Sequence, residues 1–168
     1  MTARRTDDPS NTEENQIFTI VIKDDLIART NSAIIDSVFY LRTDQEAFPC
    51  EGWTDFSYPL LNMWCEALLR MPARDSARCE LPFMDGPFWL EVEKQGERLA
   101  VYGKTSRKTP CYFSFHCEQE AFFAEILRAY RCLVQYTFQN NQVSPGLQVE
   151  IKQGYQHYKS LIGISPKH

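Results

Sequence analysis

The sequence predicts an α+β domain: an antiparallel sheet of about five to six strands with about three helices packed on one face, in the order β-β-α-β-β-β-β-α-α. Three observations lead there. Apolar and polar residues alternate in several short runs, the period-2 signature of half-buried strands. Turn residues separate consecutive runs closely enough to make them antiparallel neighbours. Three longer runs repeat at helical spacing. The chain has 168 residues, 43% of them hydrophobic, which suits one domain with a packed interior. Met1 to Asn15 are polar and charged, so residues 1–15 are expected to form a disordered tail and residues 16–168 the domain.

The first strand is read at Gln16 to Lys23, where Phe18, Ile20 and Ile22 share one face, and the second at Ala33 to Arg42. Thr43 to Asp55 reads as a loop. Ser57 to Met71 is the first helix, with Ser57 as N-cap, Pro59 in the first turn and Pro72 as its stop. Asn62, Glu66 and Arg70 form a polar stripe, and the wide apolar arc around them predicts burial on most sides. Ala77 to Met84 and Phe88 to Lys94 form a hairpin turned by Asp85-Gly86, with Pro87 at a strand start where its missing N–H costs nothing. Phe88, Leu90 and Val92 face one way; Trp89, Glu91 and Glu93 face the other. Gln95-Gly96 turns into a strand over Arg98 to Lys104. A basic loop precedes a last strand over Cys111 to His116. Glu118 to Gln139 is the longest helix, its acidic first turn matching the dipole. Ser144-Pro145 opens a final amphipathic helix, marked by Leu147, Ile151, Tyr155, Tyr158 and Ile162.

Composition removes several function classes. Net charge is −4, with 10 Lys and Arg against 18 Asp and Glu in residues 1–100 and 8 against 4 thereafter. That balance argues against general nucleic-acid binding, which needs phosphate neutralisation, and points to a basic partner for the acidic part. No run approaches the roughly 20 apolar residues of a membrane span, and no apolar signal segment opens the chain, so a cytoplasmic protein is expected. The six cysteines, at 50, 65, 79, 111, 117 and 132, read as free thiols in that compartment.

Reaction chemistry is hard to find. Cys111, His116 and Cys117 lack the paired spacing of a metal site, and Cys111 and His116 fall on opposite strand faces. A Cys117 thiolate at a helix start would have a lowered pKa, yet adjacent His116 has no third group to orient it. His157 sits on a solvated helix and His168 is terminal. Asp55 and Asp85 are the paired carboxylates to consider, although helix entry and hairpin turning account for both. Lys104, Arg107 and Lys108, flanked by Tyr102 and Tyr112, form the one concentrated basic run, a candidate anion site. No cofactor and no metal are expected, and the chain is read as non-enzymatic.

The most informative segments are Phe48-Pro49-Cys50-Glu51-Gly52-Trp53-Thr54-Asp55-Phe56 and Leu81-Pro82-Phe83-Met84-Asp85-Gly86-Pro87-Phe88-Trp89. Each places aromatics, Gly or Pro, and an Asp within nine residues. With the Trp-bearing helix after the first, they resemble small bacterial immunity-like proteins of polymorphic or contact-dependent toxin systems, over about residues 32–138. The resemblance implies a cytoplasmic, non-enzymatic protein-binding module that neutralises a toxin by occluding its surface; it implies no catalytic residues. Trp53, Asp55, Asp85, Trp89, Glu91 and Glu93 are the expected partner-binding residues, by their loop positions and exposed-face parity. Two alternatives stay open. One is a small-ligand or enzymatic domain built from Asp55, Asp85 and the Lys104–Lys108 loop; the other is a structural subunit of a homo-oligomer, or a homodimer, built on the exposed sheet face or edge.

Overall fold

The computed structural model describes residues 15–25, 27–28, 35–106 and 112–163. The predicted positions Arg107, Lys108, Cys111 and His168, and all but Asn15 of the predicted tail, lie outside them. The first sheet contains β1 (Phe18–Ile22), β2 (Ile27–Ala28), β3 (Ile35–Thr43), β4 (Ala47–Phe48) and β5 (Thr54–Phe56). Helix α1 (Ser57–Arg70) follows. The second sheet is a meander of β6 (Arg78–Pro82), β7 (Phe88–Gln95), β8 (Arg98–Thr105) and β9 (Ser114–Glu118), in that spatial order. Helices α2 (Gln119–Gln139) and α3 (Pro145–Ile162) complete the order.

Among the described residues the fold is α+β with three helices, as predicted, but it has two antiparallel sheets where one was expected. The long strand β3 accounts for the split. β1 and β2 line one of its edges, and β4 and β5 line the other. Both edges of β3 are paired within the first sheet, and β6 to β9 form a second one. The sheets meet where Gln16 N–H donates to the His116 carbonyl at 3.3 Å, and where the Phe48 ring lies against Gly103.

The helices are not one layer. α1 touches β3, β5 and β6; α2 touches β1, β8 and β9; α3 packs chiefly on α1 and α2. One apolar cluster gathers Ile20, Phe39, Leu41, Trp64, Phe83, Leu90, Val101, Phe115, Phe122 and Ile151 from these layers. Trp64 is fully buried, and its indole N–H donates to the Pro82 carbonyl at 2.8 Å.

Local signals held unevenly. Ser144 caps α3, accepting from Leu147 N–H, with Pro145 behind it. Ser57 does not cap α1: Phe56 holds that position, and the Ser57 hydroxyl instead donates to the Ile35 carbonyl at 3.4 Å. The last strand runs three positions later than predicted at its start and carries Glu118 at its end, just before α2. The polar stripe of α1 is partly engaged inside the molecule: Asn62 accepts from Tyr130 at 2.6 Å and Glu66 from Tyr158 at 3.0 Å, while Arg70 is exposed.

Candidate interaction face

Strand parity and register fix what the second sheet shows on each side. Leu81, Leu90, Val92, Leu99, Val101, Phe115 and Cys117 face the core. The alternate residues face away from it. Reading across β6 to β9, Pro82 stands opposite Trp89, and Trp89 opposite Lys104. The next row is Glu80, Glu91, Tyr102 and Ser114, followed by Arg78, Glu93, Ala100 and His116. Gln95, Arg98 and Glu118 make the last. Trp89 and Tyr102 are half-buried among these neighbours and belong to no core cluster.

Charge on this face is divided. The β6–β7 half carries Glu80, Glu91 and Glu93 against Arg78. Arg78 reaches Glu93 at 2.7 Å and Glu91 at 3.9 Å, while Glu80 stands directly opposite Glu91. Like charges opposed across a strand pair disfavour the isolated sheet. The β8–β9 half carries Arg98 and Lys104 against Glu118. Lys104 lies 5.6 Å from the Tyr102 ring centroid, and Arg98 pairs with Glu118 at 3.7 Å.

Three of the six predicted partner-binding residues do not share this face. Asp55 is only 2% exposed, which corrects its predicted surface position. Its Oδ1 accepts from Phe56 N–H at 2.7 Å, and its Oδ2 from the Trp53 indole at 3.1 Å. Met84 N–H reaches both oxygens at 3.2 Å, and Asp85 N–H reaches Oδ2 at 3.3 Å. Burial pushes the Asp55 pKa above 3.8, and these hydrogen bonds oppose that shift only in part. A buried carboxylate with a raised pKa is a feature of general acids. Here, however, the donors come from the protein itself and converge on both oxygens, so the group is a clasp between the two signature segments. Trp53 is also part of the clasp: its ring meets Phe88 edge-on at 5.2 Å, and a Cβ at Gly86 would sit 3.0 Å from it. Asp85 is exposed at the hairpin tip. Trp89, Glu91 and Glu93 lie on the outward face, as their parity predicts.

The grooves lined by Lys94 and Glu120, by Asp44 and His116, by Leu127 and Arg131, and by Asp24 and Tyr136 include neither Asp55 nor Asp85. Lys104 approaches their end of the sheet through its pairing with Trp89, but Asp55 is closed off beneath the hairpin. Cys117 is 2% exposed, and burial with nearby Glu118 pushes its pKa to about 12, against the thiolate considered from sequence. Among the described residues no group of three or more His, Cys, Asp or Glu could hold a metal ion, and no helix is long and apolar enough to cross a membrane.

Tyr102, Glu80 and Arg78 were not singled out as interface residues. Their signal was the cross-strand register, which sets them beside Trp89, Glu91 and Glu93 and which no single strand reveals. Comparison of this chain with protein-family models, with curated proteins and with solved structures finds no match.

Proposed function

We propose that the protein acts by binding another protein, as an immunity-like module that covers a basic or catalytic patch of a toxin. The observation that carries this reading is the outward face of the second sheet, where Trp89 and Tyr102 stand among Glu80, Glu91 and Glu93. Large aromatics ringed by charge on a flat surface are the composition of binding hot spots. The acidic β6–β7 half meets a basic partner surface, and the exposed Met84–Asp85 tip forms its rim. Electrostatic attraction speeds encounter, and the aromatic rings supply the desolvated contact.

The enzymatic reading is weaker for a specific reason: Asp55, the one carboxylate among the described residues with a raised pKa, has its acceptor positions filled by the protein. The test is co-expression with the product of the adjacent gene, followed by co-purification. Trp89→Ala should weaken the complex by about thirty-fold and Glu91→Lys with Glu93→Lys by at least about ten-fold. A complex that forms with unchanged affinity in both variants would remove this face from the binding site.

A further inference from the structure

Residues 126–163 carry four Lys and Arg, at 128, 131, 152 and 159, against one carboxylate, Glu150. That carboxylate accepts from Tyr58 of α1 at 3.1 Å. Three of the four cations meet at one place. A groove of about 280 Å³ is shared by the last two helices, with Ala124, Leu127 and Arg131 contributed by α2 and Tyr155 and Lys159 by α3. Each of the other three grooves named above has a carboxylate in its wall: Glu97 and Glu118 beside Glu120, then Asp44, then Asp24. This one has none. Its third cation, Arg128, is engaged by the fold, since it reaches Glu125 at 2.7 Å and the Ile20 carbonyl of β1 at 2.6 Å. The remaining two are exposed, and among the described residues neither Arg131 nor Lys159 pairs with a carboxylate. Lys159 instead stands 5.9 Å from the Tyr155 ring centroid.

We propose that the α2–α3 groove binds a small amphiphilic monoanion, a carboxylate carried on an apolar or aromatic body. Leu127, Ala124 and the Tyr155 ring supply apolar surface for the body. Arg131 and Lys159, one from each helix, supply the charge. A guanidinium fork matches the two oxygens of a carboxylate, and an ammonium adds a point charge that needs no fixed geometry. A cation pair beside apolar surface recognises both ends of such a ligand, whereas either feature alone recognises only one.

Arg and Lys also bind phosphate, and the end of α3 decides between the two. Gly163 lines the groove, and a Cβ there would stand 3.2 Å from the Ser160 carbonyl oxygen. The last-turn carbonyls carry the negative end of the helix dipole. They oppose a second negative charge, so a dianion gains less here than a monoanion. The volume sets the size of the body: ligand pockets run from about 300 to 1,000 Å³, and this groove sits at their small end, which suits a short chain or a single ring. The groove shares no residue with the outward face of the second sheet, so this ligand neither requires nor tests the proposed toxin binding.

The test titrates octanoate into the isotope-labelled full chain and follows it by NMR. Saturable shifts should appear at Ala124, Leu127, Tyr155 and Gly163, with a midpoint below about 1 mM. Octanol keeps the body without the charge, and inorganic phosphate keeps the charge without the body; each should bind at least about ten-fold more weakly. Arg131→Glu and Lys159→Glu should each weaken octanoate by about ten-fold or more. Ala124→Phe fills the apolar part of the groove at unchanged charge and should weaken it as well. Arg131 and Lys159 are exposed, so both charge variants should keep the wild-type circular dichroism; they decide the question should Ala124→Phe fail to fold. A midpoint above about 1 mM, shifts confined to other residues, octanol or phosphate within about ten-fold of octanoate, or charge variants that bind like wild type would each overturn the proposal. So would co-sedimentation with phosphatidylglycerol vesicles by a chain that does not respond to octanoate, because the cations would then serve a membrane surface.

Discussion

Asp55 joins two stretches of chain 29 and 30 positions apart, through Met84 and Asp85. Replacing it with Ala would leave the Trp53 indole and backbone donors of the hairpin without acceptors. Asp55→Ala should lower unfolding free energy by about 2–4 kcal/mol in urea titration. Its pKa adds a signed effect. A carboxyl whose native pKa lies above its unfolded value binds protons more tightly when folded, so its contribution to stability declines as pH rises from 3.8 through the native value. Carbon-detected titration of the native protein should place the Asp55 midpoint above 3.8. Ser37 makes the opposite case. Its hydroxyl is buried with no hydrogen-bond partner among the described residues, so Ser37→Ala should leave unfolding free energy unchanged or raise it by up to about 1 kcal/mol. Two tryptophans separate packing from surface. Trp64→Ala should cost about 3–5 kcal/mol because the indole fills the core, while Trp89→Ala on the open face should cost about 1 kcal/mol or less.

A glycine of α3 sets how closely that helix approaches α2. Tyr58, Tyr130 and Tyr158 cluster between the helices, and a Cβ on Gly154 of α3 would collide with the Tyr130 hydroxyl. Alanine at this position gains about 1 kcal/mol in helix propensity but displaces a ring that is fully buried. Gly154→Ala should therefore lower stability by about 1–3 kcal/mol in thermal or urea unfolding, and Tyr130→Phe in the same chain should recover part of the loss. Elements of this kind also show what the sequence made legible. Long periodic runs were readable: α2, α3 and the β7–β8 hairpin appear where spacing and turn residues put them. β4 and β5 were not, because two or three residues carry no period, and their pairing comes from the β3 edge. The hydrogen bonds of Asn62 and Glu66 on α1 were not readable because their partners, Tyr130 and Tyr158, stand 68 and 92 positions away. The outward parity of Trp89, Glu91 and Glu93 was readable within one strand. The neighbouring Tyr102, Glu80 and Arg78 needed register between strands. Asp55 misled because an Asp in an aromatic loop has the same appearance whether its donors are water or a hairpin.

Across the whole molecule, the first strand and the long helix are held together by Glu125 and Arg128. Burial pushes the Glu125 pKa up, but bonds from Arg128, Ile20 N–H and Thr19 outweigh it and hold the group below 4.5. A depressed native pKa stabilises the fold above 4.5 and loses that contribution as pH falls through the native value. Wild type should exceed Glu125→Gln by about 1–3 kcal/mol near neutral pH, with the gap narrowing in acid unfolding curves below pH 4.5. This link spans more than a hundred positions, since Thr19 and Glu125 differ by 106. During synthesis at about 5–20 residues per second, the first strand emerges about 5–20 seconds before the residues that cover its edge. The nascent chain therefore passes through an interval in which the Ile20 peptide is open to any passing strand. The finished protein is protected at that edge; the half-made one depends on the speed of its own translation, or on whatever shields it at the ribosome.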